Sequence, residues 1–153
     1  MKRFLALIFL GVFVFTTNAQ NSERETVKQT ILSFFEALHK QDTTTMRSMV
    51  NGNIKMHSMT INNNGETNLK ERDFLQFTTS IASIPKDRVF EEKLLDFDIK
   101  VDGPMASVWT PYEFWYEEKL IHCGVNSFQL IKEEDSWKIM YLVDTRRQEN
   151  CKK

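Results

Sequence analysis

Residues 105–147 decide the fold of this chain; they read MASVWTPYEFWY (105–116), EEK (117–119), LIHCGVNSFQLIK (120–132), EEDS (133–136) and WKIMYLVDTRR (137–147). Long segments rich in apolar and aromatic residues are separated here by short polar runs. Alternating segments of this kind predict β-strands, and the polar runs predict tight turns between them. The stretch therefore predicts an antiparallel meander with strands over Met105–Tyr116, Leu120–Lys132 and Trp137–Thr145.

The half of the chain before this meander is predicted to be mainly helical. Ser22 and Glu25 form a capping box, and apolar residues at helical spacing follow it, which predicts an amphipathic helix over 23–40. The pattern then predicts, in order, a short helix near 46–50, a strand over 54–61, a helix over 69–82 and a strand over 88–101. Helices that precede an antiparallel meander indicate an α+β fold in which the N-terminal helices pack on the sheet.

Composition limits the functions open to this chain. A length of 153 residues indicates one folded domain, and 41% hydrophobic with 27% charged residues is typical of a globular protein. Lys and Arg together number 20 and Asp and Glu 21, so no basic excess is available to neutralise a phosphate backbone. We therefore expect no nucleic-acid partner.

The N-terminus has the pattern of a secretory signal peptide. Lys2 and Arg3 precede an apolar run over 4–15, and small residues follow up to Ala19. The alternative is a transmembrane anchor, but the run is shorter than the ~20 residues that cross a bilayer. The sequence therefore predicts a signal peptide over 1–19, a single domain over 20–153, and export to the periplasm or the medium with no stable membrane insertion after cleavage.

Export changes the interpretation of the two cysteines, Cys123 and Cys151. An even number of cysteines in an oxidising compartment favours a disulfide, which would hold the C-terminal tail on the predicted sheet. The alternative is a pair of unrelated thiols, one packed and one exposed. We expect the disulfide, because an exposed free thiol is reactive in such a compartment.

Strand alternation selects three polar residues as candidates for a ligand site. His122 and Asn126 share the parity of Phe128 and Leu130, which are natural core residues, and Tyr112 has the inward parity of the preceding strand. Polar side chains on an apolar face need partners, because an unpaired buried polar group costs ~1–3 kcal/mol. The functional interpretation is a pocket that binds or protonates a ligand, and the alternative is a histidine satisfied within the fold.

The end of the last predicted strand adds Asp144 and Arg146 to the candidate ligand-binding residues. Beside a cavity mouth they could bind an anion or orient a histidine, and the alternative is an ion-pair network at the rim. His39 and the acidic pair Glu91-Glu92 are interpreted as solvated.

His57 is the second candidate, after His122, for a catalytic histidine. It lies mid-strand in the segment 54–61, where both faces are partly apolar, so the pattern does not decide which face is inward. The two histidines are distant in sequence and no third ligand stands at a diagnostic spacing, so no metal site is expected. No glycine-rich phosphate loop or nucleophile elbow is present either, and no cofactor is expected.

The order of elements resembles the nuclear transport factor 2-like (NTF2-like) superfamily, which includes SnoaL-like cyclases and ketosteroid isomerases, and more closely its exported bacterial members of the lumazine-binding-like kind. The segments that carry the resemblance are Phe34–Leu38, Met56–Met59, Val101–Ala106, Trp109–Phe114, His122–Phe128, Trp137–Ile139 and Asp144–Arg147. The resemblance implies a strongly curved, cone-shaped sheet in a cystatin-like layout. It also implies a homodimer through the outer face, where Trp109, Trp115, Val125 and Ile131 are expected.

Three functions are compatible with these features. The first is non-catalytic binding of a small, partly aromatic or hydrophobic ligand in the cone-shaped cavity. The second is a cofactor-free isomerase, cyclase or dehydratase with His122 or His57 as general base. The third is a dimerising structural or interaction domain whose cavity is filled by side chains.

Overall fold

The computed structural model describes residues 2–62 and 64–151, with side chains from residue 20 onward. Its helices are α1 (Lys2–His39), α2 (Thr43–Ser48) and α3 (Phe74–Ala82). Its strands are β1 (Lys55–Ile61), β2 (Thr67–Asp73), β3 (Phe90–Leu94), β4 (Asp98–Asp102), β5 (Met105–Tyr116), β6 (Lys119–Glu133) and β7 (Ser136–Arg147).

The strands form one mixed, mostly antiparallel sheet. Its order is β2-β1-β7-β6-β5-β3, and β4 pairs with β5 beside β3. Only β1 and β7 run parallel among the pairs of described strands, and β5, β6 and β7 form the predicted meander. The α+β prediction, with N-terminal helices on such a sheet, is confirmed.

One face of the sheet, called the inner face here, packs against the helices. Phe34 and Phe35 of α1 lie with ring centroids 6.4 and 6.1 Å from that of Phe128 in β6. Phe34 also lies 6.1 Å from Phe74 of α3, so both helices join the same core. Inward residues of the strands complete it: Ala106, Val108, Phe128, Leu130, Trp137, Ile139 and Leu142. The alternation that selected the inward side of β5 and β6 therefore describes the core correctly.

Two predicted elements differ from the structure. The helix expected over 69–82 begins as strand β2, because the turn after Asn62 lets 67–73 pair with β1, and the side chain of Asp73 then caps α3. The strand expected over 88–101 is divided into β3 and β4, which pair with successive parts of β5. The division falls opposite Pro111, which has no N–H to donate to a neighbouring strand and so interrupts the pairing.

The predicted strong curvature of the sheet is wrong, since the sheet is not strongly curled. Bulges bend strands, and the β5–β6 pairing has one register shift, at Phe114/Trp115, while the β6–β7 pairing has one at Gln129/Leu130. Long uninterrupted pairing on either side of these shifts leaves few positions at which the strands can bend.

Helix α1 begins well before the predicted capping box. Its backbone is continuous from Lys2 to His39, so Ser22 lies within the helix rather than at its start. The predicted signal peptide involves Met1 and the side chains of 2–19, which lie outside the described residues, and its cleavage stays a prediction. In the part of the chain that the structure describes, no helix is long and apolar enough to cross a membrane.

The predicted disulfide is confirmed. Cys123 in β6 and Cys151 in the tail are bonded, with Cα atoms 5.6 Å apart. The bond closes a segment with a sequence separation of 28 residues and holds residues 148–151 against the sheet.

The outer face of the sheet carries several exposed apolar side chains. Met105 and Trp109 of β5 are 54% and 53% exposed, whereas Trp115 is partly covered by Lys93, whose Nζ lies 4.5 Å from the indole centroid. Val125 and Ile131 of β6 are half-buried on the same face. The homodimer expected through this face stays a prediction.

Candidate functional site

A buried tyrosine and a buried aspartate form the centre of the polar network on the inner face. Tyr112 of β5 is 1% exposed, and its hydroxyl oxygen lies 3.1 Å from Oδ2 of Asp144 and 3.1 Å from the carbonyl oxygen of Thr145. Burial, and then the negative charge of Asp144, raise the pKa of Tyr112 above its ordinary value. The hydroxyl therefore stays protonated and donates a hydrogen bond.

Asp144 accepts hydrogen bonds from side chains of three strands. Besides the Tyr112 hydroxyl, the Ser58 hydroxyl of β1 donates to Oδ1, and Nε of Arg146 donates to Oδ2 at 2.7 Å. The parallel register of β1 and β7 places Ser58 directly opposite Asp144. A buried carboxylate is tolerated only when it is paired and hydrogen-bonded, and these donors meet that requirement.

Gly124 allows the tyrosine to reach this position. A Cβ atom at Gly124 would overlap the carbonyl oxygen of Thr145 and lie 2.9 Å from Cε1 of Tyr112. The missing side chain leaves the space through which the Tyr112 ring approaches β7. Glycine inside a strand often marks such a close approach.

A second polar pair joins β3 to β6. Nδ2 of Asn126 donates to Oε1 of Glu92 at 2.6 Å. Burial is the main reason that the pKa of Glu92 rises to about 7, and the nearby negative charge of Asp144 adds to the rise against the opposing effects of Asn126 and Arg146. A carboxyl group with this pKa can hold or accept a proton near neutral pH.

His39 supports the strand that carries Glu92. Nε2 of His39, at the end of α1, accepts the backbone N–H of Glu92 at 2.9 Å, so the neutral ring carries its proton on Nδ1. Burial lowers the pKa of His39, which keeps the ring neutral. The predictions that His39 and Glu92 are solvated are wrong, because the end of α1 packs over β3 and covers both residues.

His122 lies against aromatic rings at the edge of the network. Its ring stacks on Phe114 with centroids 4.9 Å apart and meets the edge of Tyr112 at 5.7 Å. Burial, and then the positive charge of Arg146, lower the pKa of His122. The imidazole is therefore neutral at neutral pH and can accept or donate one hydrogen bond.

A cavity of about 390 Å³ lies between this network and the helices. Its lining combines apolar residues from the helices, the segment after α3 and the strands with polar residues from the strands. The apolar residues, called the apolar wall here, are Leu38, Met56, Phe77, Ile81, Ile84, Phe90 and Phe114, and the polar residues, called the polar wall, include Ser58, Lys70, Arg72, Glu92, His122 and Arg146. Its volume falls in the range of small-molecule sites.

A second, more open space of about 770 Å³ lies where β1, β6 and β7 meet the C-terminal tail. It shares His122, Arg146 and Thr60 with the inner cavity. Gln148 and Glu149 form part of its wall, so the disulfide at Cys151 bears on its shape. The inner cavity has the better-defined site, because its polar wall belongs to the hydrogen-bonded network.

His57 lies on the opposite face of the sheet. Its Nδ1 lies 3.1 Å from the hydroxyl oxygen of Tyr141, and its Nε2 lies 3.3 Å from Oε2 of Glu71. It does not line the inner cavity. A general-base role for His57 in that cavity has no geometric support.

The structure brings the other predicted residues together. Tyr112, His122, Asn126, Asp144 and Arg146 all lie on the inner face; His122 and Arg146 line the cavity, and the other three stand behind its wall. Among the described residues no group of three or more His, Cys, Asp or Glu side chains is arranged to hold a metal ion.

Sequence reasoning missed Glu92, Ser58, Lys70 and Arg72. Glu92 shares the parity of Phe90, a buried residue, so alternation within β3 could have found it. Ser58 could have been found once the inward side of β1 was known. Lys70 and Arg72 were hidden because their segment was predicted to be helical.

Comparison with known proteins identifies the fold. No family model matches the chain, and no curated protein matches it. Solved structures do match. An NTF2-like protein with a cystatin-like fold from Novosphingobium aromaticivorans is 9% identical, with 90% of each chain covered and a TM-score of 0.65. A proposed dehydratase of the NTF2-like family from Streptomyces avermitilis is 16% identical over 83% of this chain and 97% of that one, with a TM-score of 0.61.

A protein of unknown function from Mycobacterium tuberculosis is 13% identical over 86% of this chain and 75% of that one, with a TM-score of 0.68. Identities this low show the fold alone. The chain has the NTF2-like, cystatin-like fold.

Proposed function

We propose that this protein is exported and binds a small organic molecule in the inner cavity. The observation that carries the proposal is the cavity of about 390 Å³, which has one apolar wall and one polar wall. Ligand sites are typically concave and mainly apolar, with a few convergent polar groups that fix orientation. A ligand with an apolar body and one polar end fits both walls.

Two features support export. The N-terminal pattern of Lys2, Arg3 and the apolar run up to Phe15 is that of a secretory signal. The bond between Cys123 and Cys151 is the kind of link that persists in an oxidising compartment. The resemblance to exported lumazine-binding-like proteins stays a prediction.

Cofactor-free acid–base catalysis is the second candidate function. It is favoured by Glu92, whose carboxyl group faces the cavity and has a pKa of about 7. A general base works best when its pKa lies near the operating pH. Glu92 therefore replaces His57 as the candidate base, and neutral His122 would orient the substrate. The structural similarity to a proposed dehydratase agrees with this candidate without establishing it.

Ligand binding is tested with small-molecule libraries and NMR spectroscopy of the labelled protein. The proposal predicts that bound compounds shift the amide signals of Leu38, Phe77 and Ile81. Phe77→Trp adds volume at the cavity wall and should weaken binding at least about tenfold. Leu75→Trp is the matched control, because Leu75 lies on the same helix but is 53% exposed and does not line the cavity.

The two candidate functions differ in the fate of the ligand. Glu92→Gln keeps the hydrogen-bond acceptor for Asn126 but removes the titratable group. If the protein binds its ligand without converting it, a compound retained through purification stays chemically unchanged with both the wild type and Glu92→Gln. If it is an enzyme, conversion by the wild type is lost in Glu92→Gln while the affinity remains. Equal binding by the Phe77→Trp and Leu75→Trp variants would contradict the cavity as the site.

A further inference from the structure

Two cations of β2 face the inner cavity. Arg72 is partly buried and Lys70 is exposed at the cavity mouth, and both belong to the cavity lining together with Arg146. Residues at alternate positions of a strand share a face, so Lys70 and Arg72 point in the same direction while Glu71 points away.

The charged side chains on the two faces of β2 differ in whether they have ion-pair partners. On the outer face, Glu71 is paired with Nζ of Lys55 at 2.5 Å and with Nε2 of His57 at 3.3 Å. On the inner face, neither Lys70 nor Arg72 has an ion-pair partner among the residues that the structure describes. The charge of Glu71 on the outer face is thus balanced by its partners, whereas the inner face carries an excess of positive charge.

The acidic groups of the cavity do not balance this excess. Asp144 is already bonded to Arg146, Tyr112 and Ser58. Glu92 is held by Asn126 and is partly protonated near neutral pH. Cations in a cleft with low-dielectric walls attract anions more strongly than cations on an open surface.

We propose that the ligand of the inner cavity is a small organic acid whose carboxylate binds between Lys70 and Arg72 and whose apolar body lies against the helices. The proposal rests on the proposed function and names the chemical class of its ligand. The guanidinium of Arg72 offers a planar pair of donors that matches a carboxylate, and Lys70 adds a point charge at the mouth. Leu38, Phe77 and Ile81 provide the surface for the apolar body.

A competing explanation exists for charges on this strand. β2 is at the edge of the sheet, and charged residues on edge strands discourage pairing with other chains. That explanation requires no ligand and predicts no preference between an acid and its neutral analogue. The experiment is designed to separate the two explanations.

Calorimetric titration with matched pairs of probes tests the proposal on the purified exported protein. The pairs are 2-naphthoate with 2-naphthamide and 3-phenylpropanoate with 3-phenylpropanamide, at pH 6.5 and low salt. At least one acid should bind about tenfold more tightly than its amide, which is typical for one charge-assisted contact. Arg72→Gln and Lys70→Gln should each reduce this preference. Lys100→Gln, an exposed lysine on β4 that does not line the cavity, should leave it unchanged.

The outcomes separate the ligand class from the proposed function. Equal affinity for acids and amides, with amide signals shifted at the cavity, overturns the organic-acid proposal and leaves small-molecule binding in place. An acid preference that survives both β2 variants also overturns it. No binding by any of the four probes at millimolar concentration overturns the organic-acid proposal. If no library compound binds either, the proposed function is overturned as well.

Discussion

The hydroxyl of Tyr112 lies 3.1 Å from Oδ2 of Asp144, joining the middle of β5 to the end of β7 beneath the candidate cavity. This hydrogen bond crosses β6, the strand between them. The Tyr112 side chain reaches Asp144 only because β6 has a glycine at position 124. Three strands therefore cooperate to hold one buried carboxylate, and the polar wall of the cavity depends on that arrangement.

Tyr112→Phe should lower the free energy of unfolding by about 1–3 kcal/mol. The variant keeps the ring but removes a donor from the buried carboxylate of Asp144 and from the Thr145 carbonyl. Urea denaturation measures the change. Tyr116→Phe is the matched control, since Tyr116 makes no side-chain hydrogen bond among the described residues and its loss should change stability by less than about 0.5 kcal/mol. Equal effects of the two variants would contradict a structural role for the Tyr112 hydroxyl.

Gly124→Ala should destabilise the protein by about 2–4 kcal/mol. The added methyl group would overlap the Thr145 carbonyl oxygen, which is backbone and cannot rotate away, so β6 and β7 must separate locally. Thermal unfolding measures the loss of stability, and NMR signals of Tyr112 and Asp144 should shift most. A melting temperature equal to that of the wild type would show that the strands adjust without strain.

Sequence patterns predicted the inward residues of β5 and β6 because both strands alternate cleanly over a long span. Tyr112, His122 and Asn126 were selected in this way, and the structure places all three on the inner face. The same rule was not applied to Glu92, because the sequence around it was interpreted as a solvated acidic run rather than as part of an alternating strand. Charge alone suggested solvent, whereas the parity shared with Phe90 indicated the cavity.

The boundaries near β2 depended on pairing with β1, which the residue types of the paired segment do not reveal by themselves. Residues 67–73 are mostly polar, and they become a strand because the chain after Asn62 folds them back onto β1. The basic wall of the cavity follows from that pairing, so Lys70 and Arg72 could not be assigned to the site before β2 was known. The partners of His57 were equally non-local, since Tyr141 lies 84 residues away.

Cys151→Ser should reduce the free energy of unfolding by about 3–4 kcal/mol, the chain-entropy value for a loop of this length. The bond spans a sequence separation of 28 residues, and its loss also releases the tail that lines the second, more open space of about 770 Å³. Urea denaturation of the wild type with and without a reductant should reproduce the difference. The reductant should have no effect on the stability of Cys151→Ser. A large effect on that variant would mean that its remaining cysteine, Cys123, had formed a disulfide with a second molecule.

The expected homodimer can be tested at its most exposed aromatic residue. Trp109 is 53% exposed on the outer face beside Met105, and burying such an apolar surface favours association. Light scattering at micromolar concentration should give twice the monomer mass for the wild type and the monomer mass for Trp109→Lys. Val89→Lys, at a position that is 66% exposed in the segment before β3, is the control and should remain dimeric. A monomeric wild type would contradict the prediction.

Glu92→Gln should make the protein more stable at pH 8 but not at pH 5. The pKa of Glu92 rises from 4.5 to about 7, so the folded state binds its proton more tightly than the unfolded state does. The resulting stability is fully present below pH 4.5 and is lost as the pH rises through about 7, where the partly buried carboxyl group must ionise. Glutamine avoids that ionisation and still accepts the hydrogen bond from Asn126.

The gain in unfolding free energy at pH 8 should lie between about 1 and 3 kcal/mol, since one pKa unit corresponds to about 1.4 kcal/mol and the side chain is not fully buried. Comparison with the wild type at each pH isolates Glu92 from the other charged or titratable groups around it. These are His39 of α1, Lys70 and Arg72 of β2, Tyr112 of β5, His122 of β6, and Asp144 and Arg146 of β7. Glu91→Gln, at the exposed neighbouring position, should change stability by less than about 0.5 kcal/mol at both pH values.

A Glu92→Gln effect of equal size at pH 5 and pH 8 would show that the carboxyl group does not titrate in this range. Glu92 would then be unsuited to the acid–base role, and His122 would remain as the candidate base that lines the cavity.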